Sequence, residues 1–374
     1  MIHTFKRVRM ILCIMTMLVL NATVLPGQDN TDWMMKGKYG IFMHYQYRIM
    51  LGYKTPAMPD ASEASPEEFN ALVDGFDVEG FARQMELGGV SWVLLCLDDT
   101  HFGYTCSPNS TFDKYTDYKP GERCSHRDLP MELADALDPK GIRLMLYWSG
   151  LASTDASGSV KYFGYAGDPK AMYGVKNQSF STDPEKRRIA LEILQVWVDR
   201  YKDKVSGWWF DGFDRPSGNG WQDSGPSPTM LDLDRVVRSG NPQSVIAFNI
   251  GGTRNAFKRR SVIQDYTAGD VYYTAGNPGG GGLGPFSPEK TPAEGGILWN
   301  AKPFLGNIYY GLGTGLSYSD QTVIDWLKTI NSQGGVATLD YPFHPETGLI
   351  KDFAMEQLIN IAKAINPGET TSVE

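Results

Sequence analysis

Short apolar runs alternate with amphipathic segments along most of this 374-residue chain, and that rhythm limits the folds open to it. Runs at 38–45 (KYGIFMHY), 90–98 (VSWVLLCLD), 141–149 (GIRLMLYWS), 207–213 (GWWFDGF) and 244–252 (SVIAFNIGG) are apolar almost throughout. Such runs read as parallel strands covered on both faces. Further strands are expected at 270–276, near 307–313 and at 336–342. Helical periods lie between them. The segment 77–89 opens on a capping Asp77 and stops at Gly88-Gly89. The segment 128–141 opens on Asp128, and 182–203 places Pro184 in its first turn. Two more, 319–335 and 349–366, complete the set. About eight strand–helix units predict an α/β fold, a (β/α)8 TIM-like barrel of one domain over 33–366, with no C-terminal β-sandwich. A doubly wound sheet is the alternative. The first strand has no glycine fingerprint behind it, so no dinucleotide site and no cofactor is expected.

The first 27 residues read differently. Lys6, Arg7 and Arg9 precede an apolar run from Met10 to Leu20, too short to span a bilayer comfortably. This predicts a cleaved secretory signal and an exported protein, periplasmic or extracellular, with no stable membrane anchor. Losing three basic residues and no acid takes the net charge from −8 to −11. No basic run remains to track phosphates, which argues against nucleic acid as a partner. In an exported chain Cys106 and Cys124 could close a loop as a disulfide, with Cys96 left free on a strand. The glycine-rich piece at 276–296 reads either as a surface loop or as a lid.

A barrel keeps its chemistry at the carboxyl ends of its strands. Read there, the chain offers His44 and Tyr45, then Asp98 and Asp99 with His101 beyond, then Tyr147 and Trp148. Asp211, Asp214, Asn249 and Asp270 follow. Carboxylates and histidines exchange hydrogen bonds with sugar hydroxyls, and an indole face packs on the apolar side of a ring. A carbohydrate is the expected partner. Alternation gives Asp211 and Trp209 a common face, with Trp208 and Phe210 turned to the helices. An ionised aspartate behind three aromatics costs desolvation unless it is bonded, which marks Asp211 as functional. No metal is expected.

Several stretches, in order, resemble the glycoside hydrolase family 29 α-L-fucosidases. KYGIFMHYQY resembles the family's opening strand, and FDVEGFARQMELGGVSWVLL the helix and strand after it. HRDLPMELADALDPKGIRLMLYWS, GWWFDG and INSQGGVATLDYPFHPETGLI resemble its Arg-Asp-Leu helix, its nucleophile strand and its closing segment. The match runs over about residues 33 to 365. The resemblance implies that Asp211 forms a covalent glycosyl-enzyme and that His44 binds the sugar, in a retaining mechanism. The chain also departs from the family. Asp98 and Asp99 stand where the family has a histidine pair, and "AGDVYYTAGNP" carries no glutamate where the family has its acid/base. Asp270, Glu289 and Glu294 are the candidates left for that role. Tyr45, Asp98, Asp99, His101, Trp148, Trp209 and Asp214 join His44 as expected substrate contacts. The expected function is an exported retaining hydrolase of α-L-fucosides or a related sugar. The alternative is a non-catalytic carbohydrate-binding protein on a decayed hydrolase barrel.

Overall fold

Seven parallel strands curl around a common axis in a computed structural model that describes residues 29–46, 65–99, 104–114, 119–149, 184–213, 220–251, 256–271, 283, 294–307 and 313–367. In chain order the strands are β1 (Tyr39–Met43), β2 (Trp92–Cys96), a short hairpin of β3 (Asp98–Asp99) and β4 (Tyr104–Thr105), β5 (Arg143–Trp148), β6 (Val205–Phe210), β7 (Val245–Phe248), β8 (Trp299–Ala301) and β9 (Gly335–Asp340). The hairpin stands apart, and the remaining strands are ordered β7-β6-β5-β2-β1-β9-β8. Helices such as Val78–Leu87, Leu129–Leu137, Pro184–Tyr201, Met230–Gly240, Asp320–Ser332 and Asp352–Ile365 follow the strands and cover their outer face.

The gap between β7 and β8 is filled by residues 264–271, which form no regular strand. Asp265 and Tyr266 donate backbone N–H groups to Ile246 O on one side. On the other side Thr267 N donates to Leu298 O, Lys302 N donates to Gly269 O, and Tyr266 and Asp270 form single bridges to Leu298 and Lys302. The expected strand at 270–276 therefore contributes only its first residues, and the rest lies outside the described residues. So does most of the expected strand near 307–313, along with the N-terminal 27 residues and most of the glycine-rich piece. The three-residue β8 does the work assigned to that later strand.

Alternation along each strand divides the core in two. Phe42, Trp92, Leu94, Cys96, Met145, Tyr147, Trp209, Ala247 and Ala268 fill the barrel, while Trp148, Trp208 and Phe210 meet the helices. Gly40 makes room inside, because a Cβ there would lie 2.4 Å from the Trp92 indole. Gly269 combines φ +70° with a space that a Cβ would share with Asn300 O, so the closing segment needs glycine at that point. Asp77 caps its helix through Gly80 N at 2.8 Å. Asp128 takes another course: it bonds Arg200 and Tyr201, while Arg127 pairs with Glu132.

The disulfide expectation is corrected. Cys96, Cys106 and Cys124 are all buried free thiols. Cys106 Sγ points to Cys96 O and Cys124 Sγ to Asn109 O, so the two thiols expected to pair are each directed at a backbone carbonyl. Among the described residues no helix is long and apolar enough to cross a membrane.

Candidate active site

Asp211 leaves the end of β6 with its backbone N–H on Trp148 O, which continues the ladder to β5 by one residue. Its carboxylate is held at both oxygens. Oδ1 accepts from Gly212 N at 2.7 Å and from Asn249 Nδ2 at 2.8 Å, and Oδ2 accepts from Tyr147 OH at 2.6 Å. Beneath it Tyr147 stacks on Trp209 at 5.2 Å, and Phe42 completes the aromatic floor. Trp209 shares the inward face with Asp211 but is 1% exposed, with its indole N–H on Ala268 O. It is the floor under the carboxylate and presents no ring to a ligand, which corrects its place among the substrate contacts.

Asn249 ties this acid to a second one. The same Nδ2 that donates to Asp211 also donates to Asp270 Oδ2 at 2.9 Å. Two oxygens held by one nitrogen are closer than the sum of those arms, and a retaining pair of carboxyl groups stands roughly 5–5.5 Å apart. Asp270 is buried. Burial drives its proton affinity up against the pull of Lys302, and the Asp211 charge adds to the rise. The Lys302 ammonium lies 3.0 Å from Asp270 Oδ1, the contact through which it opposes that rise.

A second cluster adjoins the first through Lys302. His44 Nδ1 meets Asp340 Oδ2 at 2.5 Å, close enough that a proton must lie between them. Burial pushes the Asp340 carboxyl up to about 8 against the pull of Lys302. The His44 ring stacks on Phe304 at 5.5 Å and meets the Phe42 edge at 4.1 Å. Burial pulls the Lys302 ammonium down, yet Asp270 and Asp340 together hold its proton more firmly than an ordinary lysine does.

The other expected contacts divide by position. Asp98 stands at the mouth, half-buried, and accepts from Ser149 Oγ at 3.3 Å. Asp99 follows it in β3, and Glu294 is exposed at the edge of the described chain. His101, Asp214 and Glu289 lie outside the described residues. Tyr45 and Trp148 point the wrong way for a ligand. Tyr45 donates to Leu72 O and packs on Phe76 and Phe343; Trp148 packs edge-on against Trp197. Both belong to the helix-facing core, because alternation sends them outward from their strand ends. Four site residues were absent from the expected contacts: Tyr147, Asn249, Lys302 and Asp340. The first was legible in register, since Tyr147 pairs with Trp209 across β5 and β6. Lys302 leaves one trace, a lysine inside the apolar run ILWNAKPFL. Among the described residues no group of His, Cys, Asp or Glu is placed to hold a metal ion.

No family model matches the sequence, and no curated protein does. Solved structures do. The endo-fucoidan hydrolase MfFcnA4 of glycoside hydrolase family 107 superposes with a TM-score of 0.65 at 17% identity, over 92% of this chain and 54% of that one. P5AFcnA, an endo-fucoidan hydrolase of the same family, gives 0.62 at 13% identity, over 93% of this chain and 96% of that one. The α-L-fucosidase isoenzyme 1 from Paenibacillus thiaminolyticus gives 0.60 at 17% identity, over 90% and 76%. This chain thus spans about half the length of MfFcnA4. At these identities the likeness shows the fold alone, a single TIM-type barrel.

Proposed function

We propose that the chain is a retaining glycoside hydrolase of α-L-fucosides or a closely related sugar, with Asp211 as nucleophile and Asp270 as general acid and base. The observation that carries this reading is the Asn249 amide shared between the two carboxylates. In the first step an Asp211 oxygen attacks the anomeric carbon while the Asp270 carboxylic acid protonates the departing glycosidic oxygen. In the second, the Asp270 carboxylate takes a proton from water, whose oxygen displaces Asp211 from the same carbon. Gly212 N, Asn249 and Tyr147 fix the nucleophile in place. His44 and Asp98, with Asp99, His101 and Asp214, supply the sugar's hydroxyl contacts. The fucose-directed names of the similar structures, from two families, support a fucose-type sugar. The N-terminal pattern supports export.

The ammonium 3.0 Å from Asp270 favours a second reading, in which Asp270 is a standing charge partner and Glu289 or Glu294 brings the proton. Aryl α-L-fucosides with good and poor leaving groups separate the two. Asp270→Ala is expected to lose the poor leaving groups by on the order of 10²–10⁴-fold and to regain turnover of activated ones with azide. The same behaviour in Glu289→Ala or Glu294→Ala, and not in Asp270→Ala, transfers the role. A wild-type protein that binds fucose-containing oligosaccharides but cleaves none is the carbohydrate-binding barrel instead.

A further inference from the structure

The proposed chemistry leaves a buried charge without a task. Lys302 follows β8 and is 2% exposed. Its ammonium sits between carboxylates of both clusters, 3.0 Å from Asp270 Oδ1 and 3.9 Å from Asp340 Oδ2. The Phe42 and Phe304 rings close over it at 4.5 and 4.1 Å. Charges enclosed in this way are poorly screened and act on one another strongly. Asp270 continues through Asn249 to Asp211, and Asp340 continues to His44. Lys302 is therefore the junction of one connected line of groups around the mouth.

Resting on the hydrolase reading, we propose that Lys302 is a positioning residue that couples the two clusters, so that the proton cycling on Asp270 sets how firmly the His44–Asp340 pair holds its own. The sign follows from charge alone. With Asp270 protonated, the ammonium acts on Asp340 unopposed and loosens the shared proton. With Asp270 ionised, the ammonium is divided between two anions and the pair holds its proton more tightly. The two sites thus take up charge in opposite phase. Other charges in this field are Asp211 beside Asp270 and Lys302, and Asp98 near the buried Cys96 thiol of β2, which also feels Asp340 and Lys302.

The test is a titration of His44 by ¹⁵N-histidine NMR on the full chain, its resonance identified with His44→Gln. Lys302→Met is expected to raise the pH at which the His44–Asp340 pair gives up its proton by about one unit, tenfold in proton affinity. Lys302→Arg restores the wild-type midpoint. Asp270→Asn moves it the other way, downward, and has no such effect in the Lys302→Met background. An unmoved midpoint in folded Lys302→Met and in Asp270→Asn overturns the coupling and leaves Lys302 a filler of its slot. Should Lys302→Met fail to fold, Lys302→Gln, which removes the charge and keeps a donor in the slot, decides in its place. These readouts need no turnover. A protein that cleaves no fucoside sinks the hydrolase reading and leaves the titration interpretable, whereas an active enzyme with unmoved midpoints sinks only the coupling.

Discussion

The two candidate acids stand on walls of the same mouth that are built by different means. Asp211 follows β6, which is laddered to β5 and β7 over most of its length. Asp270 stands on residues 264–271, where side chains take over from the ladder. Asp265 Oδ2 accepts Ile246 N at 2.8 Å in place of a strand carbonyl, and Arg238 clamps the same carboxylate at 3.0 Å. Asn300 donates through its backbone to Thr267 Oγ1 and through its side chain to Ala268 O. A ladder holds a residue by repetition, so one substitution is shared among many bonds. A latch of single side chains concentrates the consequence at each of them.

The contrast can be pressed from its strongest effect downward. Asp211→Ala removes the proposed nucleophile, so kcat should fall on the order of 10³-fold or more, a far larger effect than any on the unfolding midpoint, checked by fucoside kinetics beside thermal denaturation. On the latched wall the order reverses. Arg238→Met strands the buried Asp265 carboxylate and should cost about 3–5 kcal/mol in urea unfolding. Asp265 also carries a pH signature, because burial, opposed by Arg238, holds its carboxyl at about 6. A folded value above the unfolded one gives stability that is complete below the unfolded value and lost as pH rises through the folded one. Wild type should therefore lose stability relative to Asp265→Asn between about pH 4 and pH 6; a flat difference across that window would contradict the assignment. Next in size, Tyr147→Phe deletes the donor to Asp211 Oδ2, a bond to a charged group worth about 1.5–3 kcal/mol, and should lower kcat more than it raises KM. Smallest is Tyr45→Phe, which loses one bond to Leu72 O. It should cost about 1 kcal/mol of stability and leave kinetics untouched, since that ring faces the helices.

Strand-level features were legible because a parallel barrel writes its strands as uninterrupted apolar runs. The strand at 205–210 and the acid after it could be read directly, and so could the polar end of β7 at Asn249. What failed was phase. Taking Trp148 as the sugar-facing residue of β5 is a slip of one position, and a slip of one turns every side chain to the opposite face. Pairing Tyr147 with Trp209 corrects it. The same argument removes Tyr45, one residue past the inward His44. The closing wall was illegible for another reason: residues 264–271 take their hydrogen bonds from Arg238, Asn300 and Lys302, far away in sequence, so no local period announces them. Lys302 was hidden because a three-residue strand has too few positions to show alternation. The cysteine expectation failed because spacing in a loop says nothing about which way two thiols point.

A cylinder joined along one line by scattered backbone bonds and single side chains has a preferred place to come apart. The line runs between β7 and β8, through Ile246, Asp265, Thr267 and Asn300. Native-state hydrogen exchange should find it first: the amides of Thr267 and Lys302 are expected to exchange through a partial opening that leaves Leu94 and Leu146 protected. The acid proposed to cycle its proton rides on that edge, while the proposed nucleophile is anchored in the laddered part of the wall, which is expected to open last.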